Sequence, residues 1–190
     1  MERLCVYAGS GLGADPKYRQ AAVDLARIVA DRQIGLIYGG ASVGLMGVLA
    51  DAVLDAQGEV IGVIPQALVD REVAHRHLTE LRVVGSMHER KALMSELSDA
   101  ALALPGGIGT FEEILEVATW SQLGIHAKPC GLLKVCGYYD PLAMLLDHAV
   151  DQSFLSSEHR GIVLVEEDPE TLLQRLATWT APPAKWDTGA

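Results

Sequence analysis

No apolar run in this chain of 190 residues approaches the ~20 residues needed to cross a bilayer, so no stretch reads as a transmembrane helix. Cysteine is scarce. Cys5, Cys130 and Cys136 are odd in number, sit in apolar strand-like runs and lack CxxC spacing, which excludes a disulfide framework and predicts buried thiols in a reducing compartment. Basic charge is also short: 15 Lys and Arg stand against 25 Asp and Glu, a formal net charge of −10. A sequence-independent grip on a nucleic acid polymer or an anionic membrane needs a basic surface to displace counterions, so neither partner is expected. The Walker G-K-[ST] pattern is missing, which removes P-loop hydrolysis of nucleoside triphosphates, and no G-x-S-x-G elbow surrounds Ser10. His75 and His77 find no third ligand at a credible spacing, so no metal is expected. Residues 1–7 enter a strand pattern without the basic region and long apolar core of a signal peptide, and the expected location is the cytoplasm.

What is present is an alternation. Short apolar runs at residues 3–8, 34–38, 59–64, 81–84, 100–104, 130–135 and 161–165 read as strands. Between them, helical spacing begins at Asp15 and occupies residues 43–56, 87–97, 109–123, 141–151 and 169–177, with residues 66–79 the least regular part. Strands alternating with helices imply right-handed crossovers. The expected fold is α/β, a Rossmann-like doubly wound parallel sheet of about seven strands with helices on both faces. Residues 1–181 form a single domain in this reading, and residues 182–190 a flexible tail.

Ligands of such sheets lie at the carboxyl ends of the strands, by the topological switch point. Three glycine-rich loops fall at those ends. Gly9-Ser10-Gly11-Leu12-Gly13-Ala14 fits G-x-G-x-x-A, yet the second strand ends in Tyr38-Gly39-Gly40 rather than the acid that would bind a ribose, so NAD or FAD is not expected. That loop is either a nucleotide or phosphate contact or a structural turn. The loop from Gly40 through Gly44 to Gly47 admits a ligand by its composition, although close helix packing also accounts for it. The third, Pro105-Gly106-Gly107-Ile108-Gly109-Thr110, joins a strand to a helix N-terminus, where glycine backbone and unpaired N–H groups suit a phosphate. Glu113 stands about one turn into that helix, and Glu113 and Glu116 form an i, i+3 pair. Met87-His88-Glu89-Arg90-Lys91 opens another helix. The strand before it is expected to neighbour the strand leading into Pro105, which would face Arg90 onto the crevice of Glu113 and keep that carboxylate ionised.

Pro105-Gly106-Gly107-Ile108-Gly109-Thr110-Phe111-Glu112-Glu113 and Met87-His88-Glu89-Arg90-Lys91 closely resemble the PGGxGTxxE and MxxRK signatures of the LOG (LONELY GUY) family. Tyr38-Gly39-Gly40, Gly44-Leu45-Met46-Gly47, Thr119-Trp120, Gln122-Leu123-Gly124 and Lys128-Pro129 extend the resemblance over about residues 3 to 165. The resemblance implies a cytokinin riboside 5′-monophosphate phosphoribohydrolase: a Rossmann-like homodimer, without metal or organic cofactor, that cleaves a purine nucleoside 5′-monophosphate to free base and ribose 5-phosphate. It implies Arg90 and Glu113 as the catalytic pair. The nucleotide contacts it implies are Glu72, Arg90, Lys91, Gly107, Ile108, Gly109, Thr110, Phe111, Glu112, Glu113 and Thr119; Ser10, Gly40, Gly44, Met87 and Gly106 join them from loops at the same sheet edge. Two alternatives stay open, a general AMP nucleosidase and a non-catalytic nucleotide or cofactor carrier like the molybdenum-cofactor carriers. Relatives of the family have also been labelled lysine decarboxylases, a chemistry needing pyridoxal phosphate on a lysine, and Lys91 beside Arg90 offers no such setting.

Overall fold

A computed structural model describes residues 1–71 and 73–186; Glu72 and the last four residues of the expected tail lie outside the described residues. Seven strands, β1 (Arg3–Tyr7), β2 (Gly35–Tyr38), β3 (Val60–Pro65), β4 (Glu80–Val84), β5 (Ala100–Ala103), β6 (Cys130–Leu133) and β7 (Val163–Glu166), form one sheet in the order β4-β3-β2-β1-β5-β6-β7. Every pairing is parallel. The inner strands β1, β2, β3, β5 and β6 are buried on both faces and therefore read as continuous apolar runs rather than alternating ones, whereas edge strand β4 is largely uncovered.

Helices α1 (Pro16–Asp31), α2 (Gly44–Asp55) and α8 (Pro169–Thr178) pack one face, where Leu4, Val6, Leu36, Tyr38 and Leu102 meet Leu25, Leu49 and Leu172. On the other, α4 (Met87–Glu96) and α5 (Ile108–Gln122) bring Met94, Ile114 and Val117 onto Cys5, Tyr7, Ile37 and Ala101. Alternate strand residues thus supply two cores. Local chemistry sets the helix starts. Asp15 accepts from Lys17 N at 2.9 Å before Pro16, while Ser86 accepts from Glu89 N at 3.1 Å as the Glu89 carboxylate accepts from Gly85 N at 2.8 Å. The short α3 (Gln66–Val69), α6 (Asp140–Asp151) and the short α7 (Ser157–Arg160) complete the described helices, together with a 3₁₀ turn at Val135–Gly137.

Three expectations change. β4 lies at the sheet edge, with β3, β2 and β1 between it and β5, because successive crossovers carry the chain outward before α4 returns it to the switch point between β1 and β5. Cys136 is exposed while Cys5 and Cys130 are buried: β6 ends at Leu133, and the thiol falls in the 3₁₀ turn with φ 52°. Residues 182–186 of the expected tail lie against the domain, where Lys185 N donates to Gln122 O at 2.9 Å and Pro183 O bonds the His159 ring at 3.0 Å.

Candidate active site

The glycine loops after β1 and β2 and before α5 converge at the carboxyl ends of the central strands. Gly9 N donates to Pro105 O at 3.1 Å, and Leu45 N donates to Gly9 O at 3.0 Å. Gly44, at φ +59°, sits so close to Ser10 that a Cβ would lie 2.2 Å from the Ser10 carbonyl carbon. A Cβ on Gly106 would lie 2.1 Å from Thr110 Oγ1, so the buried threonine backs the turn. A crevice of about 340 Å³ remains between the loops, lined by Gly9, Ser10, Gly11, Tyr18, Gly106 and Tyr138 among others. Gly107 caps α5 without a side-chain bond, and the first intrahelical bond runs from Phe111 N to Gly107 O at 3.1 Å. The N–H groups of Ile108, Gly109 and Thr110 therefore precede the helical ladder and point outward from a positive dipole end.

Glu113, one turn further on, is buried, and so is its partner Arg90; Arg90 Nη1 lies 3.0 Å from Glu113 Oε1. Arg90 Nε also donates to Val63 O at 3.2 Å, and its Nη2 lies so near Gly39 that a Cβ there would approach to 2.1 Å. The β4 position at the sheet edge does not prevent this meeting, because α4 runs back against β3 and delivers Arg90 to the Val63 carbonyl and to Gly39, just past β2. Burial pushes the Glu113 carboxyl above its ordinary pKa, and Arg90, acting in the opposite sense, does not cancel it. The arginine thus falls short of restoring an ordinary glutamate.

Lys91 points elsewhere. Its ammonium bonds Glu112 and lies 2.9 Å from Glu116 Oε2. Burial pulls its pKa down, and the two carboxylates more than offset that, leaving it above an ordinary lysine. The acidic trio of α5 is therefore divided, with Glu113 facing Arg90 and the i, i+4 pair Glu112 and Glu116 facing Lys91.

The remaining sequence candidates separate clearly. Ser10, Gly106 and Gly107 line the crevice. Ile108 and Gly109 are exposed at the start of α5. Gly40, at φ +73°, accepts from His75 N at 2.9 Å under the returning loop, and Met87 is exposed beside Arg90 with its sulfur 3.8 Å from Nη1. Phe111 turns into the aromatic cluster of Tyr138 and Tyr139. Thr119 is not brought to the crevice; it stands further along α5, donates to Leu115 O at 2.7 Å and lines a separate groove with Leu146 and Ile162. Sequence reasoning missed Gly39 as the seat of Arg90 and Tyr138 as a wall of the crevice. Tyr138 lies 32 residues from the carbonyl that it bonds, so no spacing could have signalled it.

Residues 46–176 match the family described as "Possible lysine decarboxylase". Over 174 residues the chain is 50% identical to cytokinin riboside 5′-monophosphate phosphoribohydrolase LOG2 of Arabidopsis thaliana, covering 92% of this chain and 82% of that protein. It is 49% identical to the enzyme of the same name, LOG, of Oryza sativa subsp. japonica, covering 92% and 72%. The chain belongs to the LOG family. Among solved structures, the Moco carrier protein from Chlamydomonas reinhardtii superposes with a TM-score of 0.69 at 21% identity, over 93% of this chain and 98% of that one. A structural-genomics target gives 0.73 at 24% identity, over 94% and 100%. Both share the fold of this LOG-family chain.

Proposed function

We propose that this protein hydrolyses the N-glycosidic bond of purine nucleoside 5′-monophosphates, AMP or N6-modified AMP of the cytokinin type, releasing free base and ribose 5-phosphate. The observation that carries the reading is the buried Arg90–Glu113 pair, 3.0 Å apart, one helical turn beyond an anion-binding turn. The names of its half-identical relatives favour the same chemistry.

In this mechanism the 5′-phosphate rests on the N–H groups of residues 107–110, and its binding energy positions a ribose whose scissile bond is elsewhere. As the bond between C1′ and the base nitrogen breaks, its electron pair leaves with the base and positive charge builds on the ribose. Glu113 opposes that charge and orients the water whose oxygen bonds to C1′. The water gives up one proton as its oxygen bonds to C1′ and the departing base takes up one, so water is divided as H to the base and OH to the ribose. Arg90 holds the Glu113 carboxylate in one place through its bonds to Val63 and to the carboxylate itself, so little reorganisation is needed when the charge appears.

Glu113→Gln is expected to cut base release by about 10²–10³-fold while AMP still binds. Wild-type protein that binds AMP but frees no base would instead favour the carrier reading. Comparing AMP with N6-prenylated AMP, GMP and CMP assigns the base. A decarboxylase is disfavoured because the ammonium of Lys91 is held by two carboxylates, where a Schiff base needs a free amine. No described helix is long and apolar enough to cross a membrane. A homodimer accords with the exposed Met144, Leu145 and Phe154 around α6.

A further inference from the structure

We propose that Tyr138 is a positioning residue for the phosphate turn: its hydroxyl locks the peptide between Gly106 and Gly107 so that the turn can receive an anion. The inference rests on the function proposed above only in assigning a phosphate to the crevice.

The hydroxyl of Tyr138 donates to the carbonyl oxygen of Gly106. That carbonyl belongs to a crevice-lining residue, and an unpaired carbonyl there would present the negative end of its dipole to an incoming phosphate. Donation from Tyr138 occupies it. Among the described residues no peptide is cis, so the N–H of Gly107 faces away from the bonded oxygen, and holding one end of this plane fixes the other. Gly107 itself has nothing within 4 Å of where a Cβ would stand. The turn is therefore open on that side and depends on its bonds, not on packing, for its orientation.

Tyr138 is well built for such a task. Gly137, at φ +71°, and Cys136, at φ 52°, turn the chain sharply after β6, which throws the ring back over the switch point. It stacks on Phe111 at 6.3 Å and meets Tyr18 and Tyr139 edge-on at 5.9 and 5.2 Å. Phe111 rides on α5 and Tyr18 on α1, so the ring ties the turn to both sides of the crevice. Tyr139 makes a comparable bond to Leu104 O at 2.7 Å but is fully buried and absent from the crevice lining, which makes it a matched control.

The test compares Tyr138→Phe with Tyr139→Phe in the full chain, by calorimetric titration with inorganic phosphate, AMP and adenosine and by KM and kcat for AMP. The ring contacts survive in Tyr138→Phe, and a thermal midpoint within a few degrees of wild type verifies the fold. Losing one bond of this kind is expected to weaken phosphate and AMP binding about tenfold and to raise KM more than it lowers kcat. Adenosine binding and the Tyr139→Phe protein should stay near wild type. Unchanged phosphate affinity in Tyr138→Phe, or equal losses for AMP and adenosine, overturns the inference. Because inorganic phosphate is bound without turnover, a wild-type protein that binds AMP and frees no base would sink the hydrolase and leave the phosphate result standing.

Discussion

At the scale of single residues, the site depends on how Glu113 is charged. Its carboxyl is raised by burial against the opposing pull of Arg90, and a raised acid gives up its proton at a higher pH. The rate should therefore climb with pH through a limb lying above the ~4.3 of an ordinary glutamate, visible in kcat/KM for AMP, which reports the free enzyme. Arg90→Gln removes the lowering influence and keeps the burial, so the limb should move further up. A wild-type limb at or below the ordinary value would contradict the burial reading. Gly39 is the second lever. A Cβ there would stand 2.1 Å from Arg90 Nη2, so Gly39→Ala must displace the guanidinium; a misplacement of about 1 Å can cost about 10²-fold, and steady-state kinetics should show a loss of that order.

At the scale of elements, α4 and α5 are joined by Arg90 to Glu113 and by Lys91 to Glu112 and Glu116. Lys91→Met leaves two carboxylates one turn apart on α5 with no cation between them. Since Glu112 is half exposed and Glu116 partly so, water screens the loss, and urea denaturation should show a destabilisation of about 1–2 kcal/mol. Adding Glu112→Gln and Glu116→Gln should recover most of it. The glycine loops are joined as tightly, and at Gly44 both the left-handed backbone and the contact with Ser10 forbid a side chain. Spacing shows that a glycine is there; only the neighbouring loop shows why it cannot change.

At the scale of the whole molecule, two apolar faces of one parallel sheet are filled by α1, α2 and α8 on one side and α4 and α5 on the other. α5 spends Ile114 and Val117 on that core, so those residues are unavailable to a partner. Three of the large apolar side chains left outside cluster on and near α6, with Met144 69% exposed, Leu145 61% and Phe154 85%, while Ile108, Ile125 and Trp186 are exposed elsewhere. Light scattering is expected to return twice the 20.3 kDa chain mass, and Met144→Glu with Leu145→Glu to shift it toward the monomer. A monomeric wild-type protein would refute that assignment.

Apolar periodicity and glycine spacing alone establish the alternating elements, the parallel sheet and the strand-turn-helix at Gly106, because those depend on local backbone preferences and on which faces must be buried. The distance from Arg90 to Glu113, the turning aside of Lys91, the exposure of Cys136 and the bond from Tyr138 to Gly106 were decided only by tertiary packing. Each depends on strand order and crossover path, which bring together residues tens of positions apart. Strand order follows from the summed burial of the whole sheet, and no short window of sequence contains that sum.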